Sequence, residues 1–110
     1  VVTVKCEGCL VECAQIRKAP DGTEGTRLAK AEMADCLKDD LGARDFTVNA
    51  MALDVSRQVL YDPFDGYGDL KRRQLRAVSR PADEMMRHDG LRVLRAYRFL
   101  AAKSEVPWTF

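Results

Sequence analysis

The opening stretch VVTVKCEGCLVECAQIR leaves that part of the chain few conformations other than a β-hairpin. Val1, Val2, Thr3 and Val4 concentrate β-branched side chains in the first run, which suits extended backbone. Glu7-Gly8 sits between the runs as the turn. In the second run Val11, Cys13 and Gln15 point one way, and Glu12, Ala14 and Ile16 the other. With strands first and helical patterns gathering toward the end, the chain reads as α+β.

KAPDGTEGTRLAK is polar, glycine-rich and contains a proline, so it reads as a loop. A short helix is expected over Ala31 to Lys38. RDFTVNAMALD then places Phe46, Ala50 and Leu53 on one stripe of a helix running from about Asp45 to Leu53. VLYDPFDGYGDL is a short strand entering a tight connection, because Pro63 fixes its own φ and restricts Asp62, while Gly66 and Gly68 permit a turn. Leu75 to Val78 is a further short strand. After Pro81 the chain turns helical, and Leu94, Tyr97, Leu100 and Ala101 recur at helical spacing.

At 110 residues the chain can form one small domain or part of a larger one. No apolar stretch approaches the roughly 20 residues of a spanning helix, so no membrane partner is expected and cytoplasm is the default location. The net charge of +1 hides an asymmetry: residues 71–98 hold nine Lys or Arg against three acidic residues, a local +6, and the remainder sums to −5. Such a segment can meet a polyanion, a triphosphate or an RNA backbone; a solvated helix face is the alternative. Four cysteines, Cys6, Cys9, Cys13 and Cys36, include one CxxC. Cys36 and the single histidine, His88, are too distant in sequence to suggest a zinc set. Cys6 and Cys9 instead flank the hairpin turn, with Cys13 and Cys36 as small apolar fillers.

Two polar constellations carry the functional reading. Asp45 and Asn49, four residues apart, share a helix face; Asp45 alone would serve as a cap, but capping leaves Asn49 unexplained. Together they can hold a sugar hydroxyl pair, with Arg44 as a charged donor for phosphate or for Asp45. Asp89 and Arg92, three apart, set an acceptor beside a fork of donors, the complement of a nucleobase edge, or else form a surface ion pair.

DLGARDFTVNAMALD, LYDPFDGYGDLKRRQLRAVSRP and HDGLRVLRAYRF resemble, in order and spacing, three motifs of the class II tRNA nucleotidyltransferase and bacterial poly(A) polymerase family. The resemblance implies an incomplete nucleotidyltransferase-type head domain over residues 1–80 and the start of a helical nucleotide-reading region over 81–110. It implies nucleotide contacts at Arg44, Asp45 and Asn49, base reading by Asp89 and Arg92, and phosphate or supporting contacts at Arg95. Arg76 is a candidate for RNA or phosphate contact, and Asp62, Gly66 and Asp69 match the connecting motif, for which the resemblance implies turn geometry and positioning of the base-reading helix. The implied reaction adds CMP or AMP from CTP or ATP to a tRNA or other RNA 3′ end, releasing pyrophosphate, with Mg²⁺ in the complete enzyme.

Several departures qualify that implication. Ala43 stands where the family pairs arginines, His88 where it usually has glutamate, and Gly90 where it has proline. The family's metal-binding GSxxRD and DxD stretches would lie upstream, in a head-domain segment expected as a partner of this one; Glu12 is the candidate for a further metal-binding catalytic carboxylate. The 110-residue chain alone is therefore expected to be inactive. The alternatives are a noncatalytic nucleotide- or RNA-binding domain of the same descent, or a piece that self-associates through an exposed sheet edge.

Overall fold

The computed structural model describes residues 1–15, 17–18, 32–33, 37–78, 81–102 and 107–110. The expected hairpin is present: β1 (Val2–Cys6) pairs antiparallel with β2 (Cys9–Cys13), setting Cys6 opposite Cys9 and Thr3 opposite Glu12. Glu7 and Gly8 turn the chain at φ 47° and 83°, the positive values that a two-residue hairpin loop needs. Alternation puts Val2, Val4, Cys6, Cys9, Val11 and Cys13 on one face and Thr3, Lys5, Leu10 and Glu12 on the other. Both strands are exposed throughout, so Cys13 is not the buried filler expected of it. Cys36 lies outside the described residues.

β3 (Arg17–Lys18) pairs with β4 (Glu32–Met33), and α1 follows at Leu37–Gly42. The expected helix from Ala31 to Lys38 is thus displaced, because Glu32 and Met33 are drawn into strand pairing. Most of the loop expected between them, residues 19–30, lies outside the described residues.

The main correction falls on RDFTVNAMALD. Instead of an α-helix it forms one 3₁₀ turn at Thr47–Asn49 and then β5 (Ala52–Asp54), antiparallel to β6 (Val59–Tyr61). Competition for backbone hydrogen bonds explains this. Val78 N donates to Asp45 O at 3.2 Å and takes the carbonyl that a helix would pair with Asn49 N, while Thr47 N donates to Arg76 O at 2.9 Å and Phe46 bridges Ala77, so the neighbouring segment holds the start of the stretch in ladder pairing. Phe46 and Ala50 are fully buried as the stripe requires, whereas Leu53 is 62% exposed.

The glycine-rich connection also departs from expectation. It forms α2 (Gly66–Arg72), whose first amides are satisfied by the Asp62 carboxylate, from Gly66 N at 2.7 Å and Tyr67 N at 2.9 Å. Glycine is required at 66 because a Cβ there would overlap the Thr47 carbonyl. Residues 75–78 are held by single bridges on either side, Gln74 to Thr109 and Ala77 to Phe46, and not as a continuous strand.

α3 (Ala82–His88) and α4 (Gly90–Leu100) are separated by Asp89, whose backbone is extended. Phe46, Leu75, Met85, Ala96 and Trp108 form the core, flanked by Val48, Ala77, Met86 and Phe99. Edge-to-face contacts tie it together, with ring centroids 6.0 Å apart for Phe46 and Phe99 and 5.2 Å for Phe99 and Trp108. α4 packs through Ala96 and Phe99; Leu94 and Tyr97, expected on its buried stripe, are each 65% exposed. The architecture is α+β, short antiparallel strands followed by helices.

Candidate functional site

Asp45 is the best-fixed charged group at the junction of the 3₁₀ turn and α4. It is 6% exposed, and its Oδ1 accepts from Phe46 N at 2.8 Å and from Asn49 Nδ2 at 3.3 Å. The Asp45–Asn49 contact expected of a helix face therefore exists without the helix. Arg95 Nε reaches the other carboxylate oxygen at 2.5 Å from α4. A carboxylate this buried requires such partners.

Asp89 and Arg92 reach the same place from the other side. Asp89 is not within a helix; it caps α4, its Oδ1 accepting from Leu91 N at 3.0 Å while its backbone carbonyl accepts from Arg92 N at 3.0 Å. Arg92 donates to the Ala43 carbonyl at 3.3 Å. Arg44, half-exposed, donates to Asp40 at 2.9 Å. Ala43, Arg44, Asp45, Asp89, Arg92 and Arg95 together line a cleft of about 250 Å³. Three guanidinium groups face two carboxylates there, so the cleft is formally cationic and carries acceptors and donor forks at close quarters.

Asn49 stands behind this wall through Asp45. Glu12 lies on the exposed polar face of the hairpin and does not line the cleft. Arg76 does not line it either: its Nε donates to Asp69 at 2.9 Å and its terminal nitrogen to the Phe64 carbonyl at 2.7 Å. Of the departing positions, Ala43 contributes a backbone carbonyl, which any side chain there would leave in place. His88 lies 3.6 Å from Glu84 at the end of α3, and Gly90 faces open space.

Asp69, expected from the sequence only in a turn-forming and positioning motif, holds the 3₁₀ turn in position. Asp69, fully buried, accepts from Thr47 Oγ1 at 2.6 Å, Arg72 at 2.6 Å and Arg76 at 2.9 Å. Burial alone would raise its pKa, but the Thr47 and Arg72 hydrogen bonds and the Arg76 charge prevail and hold it below the usual carboxylate range. Arg72 is correspondingly pushed up by its bonds to Asp69 and Asp65. The i,i+3 spacing of Asp69 and Arg72 was the available signal; Thr47, distant in sequence, gave none.

No helix among the described residues is long and apolar enough to cross a membrane. The family described as Poly A polymerase head domain matches residues 1–76. The CCA-adding enzyme of Streptococcus uberis is 53% identical over 66 residues, 60% of this chain and 16% of that protein. That of Streptococcus suis is 42% identical over 90 residues, 82% of this chain and 22% of that protein. Among solved structures, the Bacillus stearothermophilus CCA-adding enzyme in complex with CTP superposes with a TM-score of 0.72 at 33% identity, covering 90% of this chain and 22% of that one. The chain thus spans between 16% and 22% of the length of these relatives.

Proposed function

The chain belongs to the poly(A) polymerase head-domain family, and from that premise we propose that it is part of an RNA 3′-terminal nucleotidyltransferase whose nucleotide enters the cleft between Asp45 and Asp89. One observation carries the reading: residues from two motifs far apart in sequence, Arg44 and Asp45 in one and Asp89, Arg92 and Arg95 in the other, meet around a single cationic cleft. Similarity to a CCA-adding enzyme in complex with CTP supports CTP, with ATP, as the nucleotides, and a tRNA or other RNA 3′ end as the acceptor. Residues 1–80 are then part of the head, and 81–110 begin the helical region that reads the base.

Each side chain has a role its contacts suit. Asp45, oriented by Asn49 and Arg95, accepts from ribose hydroxyls. Arg44 and Arg95 add positive charge for the triphosphate. Asp89 spends one oxygen on its cap and keeps the other for a base amino group, while Arg92 donates to the adjacent acceptors. The described residues bring together no group of three or more His, Cys, Asp or Glu that could hold a metal ion. No metal-dependent step is therefore assigned to them; Mg²⁺ in the complete protein would need other carboxylates, with Glu12 a candidate to join them.

The test is Arg92→Ala in the complete protein, with relative kcat/KM for CTP, ATP, UTP and GTP. Use of CTP and ATP falls, and base preference weakens by about 1 to 3 kcal/mol, the worth of a bidentate pair. Unchanged selectivity with an intact fold removes the base-reading assignment. The second reading, a noncatalytic nucleotide-binding domain, is favoured by Ala43, His88 and Gly90; it predicts nucleotide binding by the complete protein without incorporation of labelled CMP or AMP.

A further inference from the structure

We propose that Cys6 and Cys9 are a redox-labile dithiol that closes into a disulfide across the hairpin by exchange with a low-molecular-weight disulfide. The two residues are direct cross-strand partners at the last pair before the Glu7-Gly8 turn, so their side chains leave the sheet on the same face. Directly opposed Cα atoms in an antiparallel ladder are about 4.5 to 5.5 Å apart, inside the roughly 4.4 to 6.8 Å that a disulfide accepts. Both thiols are free and exposed, which opens them to an incoming reagent.

The same geometry makes the bond labile. Opposed Cβ atoms lie about 4.5 to 5.5 Å apart, and a disulfide draws them to about 3.8 Å, so closure tightens the end of the ladder. An exposed bond under such strain belongs to the easily reduced class. Cys13 shares the face but sits four residues along β2 from Cys9, about 13 Å away at strand rise, and opposes Val2. It is out of reach of the pair.

The reaction is two successive exchanges. The thiolate of one cysteine, having lost its proton to water, attacks a sulfur of the small disulfide; that S–S bond breaks and one small thiolate leaves with the electron pair. The second cysteine, likewise deprotonated, attacks the protein sulfur of the mixed disulfide and expels the other small thiolate. Cys6 and Cys9 together lose two electrons and two protons, and the small disulfide is reduced to two thiols. The closed bond fixes β1 against β2 in one register, and a one-residue slip would move Glu12 to the opposite face. None of this depends on the nucleotide-transfer reading.

The experiment equilibrates the protein with oxidised and reduced glutathione at stepped ratios, quenches with an alkylating mass tag and maps the peptides. Expected is the joint loss of the Cys6 and Cys9 thiols, with a mass lower by two hydrogens on the peptide holding them and full recovery on reduction, while Cys13, exposed but without an opposing thiol, either takes the tag or carries a single glutathione. In Cys6→Ser the exchange at Cys9 stops at the mixed disulfide, with one glutathione held on that residue. Stable glutathione adducts on both cysteines of the unaltered protein, a bond involving Cys13 or Cys36, or a chain-to-chain disulfide in place of the hairpin one overturns the proposal.

Discussion

Replacing Asp69 by asparagine isolates the charge that anchors the 3₁₀ turn while keeping the side chain's shape. Thr47 and Arg76 share one carboxylate oxygen, which the substituted side chain retains as its carbonyl, but its amide nitrogen takes the place of the other oxygen and turns donor toward Arg72. The charge-assisted bond to Arg72, worth about 1.5 to 3 kcal/mol, is lost, and the bond from Arg76 loses the charge on its acceptor. Arg72 and Arg76 are 55% and 46% exposed and recover part of this by turning to water, so the net cost expected at neutral pH is about 2 to 3 kcal/mol. Acid should remove the difference. The folded pKa of Asp69 lies below its ordinary value, so below about pH 4 the unfolded chain binds a proton that the folded chain refuses. The contribution of Asp69 is thus complete above the unfolded pKa and is lost as pH falls through the lowered folded one. Urea titrations followed by the fluorescence of Trp108, the only tryptophan and a core residue, measure both variants at pH 7 and at steps below pH 4. A gap under about 1 kcal/mol at pH 7, or one that fails to narrow in acid, refutes the reasoning.

Phe46→Ala empties the centre of the core and should cost about 3 to 5 kcal/mol, read as a lower urea midpoint with unchanged slope. Gly66→Ala forces a Cβ against the Thr47 carbonyl, so α2 and the 3₁₀ turn must separate; faster amide exchange at Thr47 to Ala50 than in a Gly90→Ala control, where a Cβ meets open space, reports it. Arg95→Ala in the complete protein leaves Asp45 without its ion-pair partner and should weaken all four nucleotides by about tenfold, the scale of one charge-assisted bond, without altering base preference. Nucleotide titrations read this directly, and selective loss of one base would move Arg95 into base reading.

The hairpin was legible because its evidence is local: β-branched density, alternation and a two-residue turn all act within a few residues of one another. The motif order pointed to the family, and the pairs Asp45 with Asn49 and Asp89 with Arg92 were recognisable by chemistry alone. What sequence could not determine was the backbone that carries them. RDFTVNAMALD has helical periodicity, yet residues 45–47 exchange hydrogen bonds with 76–78, a competition invisible to any local pattern. Glycine spacing suggested a turn at 66–68, where the Asp62 carboxylate and the close approach of Thr47 instead start a helix. The face of α4 was misjudged by one position, because helical spacing identifies several apolar lines and only the location of Phe46 and Met85 selects the one that is buried. Sequence thus supplied the candidate side chains for a nucleotide. Tertiary structure decided that five of the six assigned to it line one cleft, because long-range backbone pairing and the Arg95 bridge to Asp45 bring a 3₁₀ turn against a helix start that lies more than forty residues away.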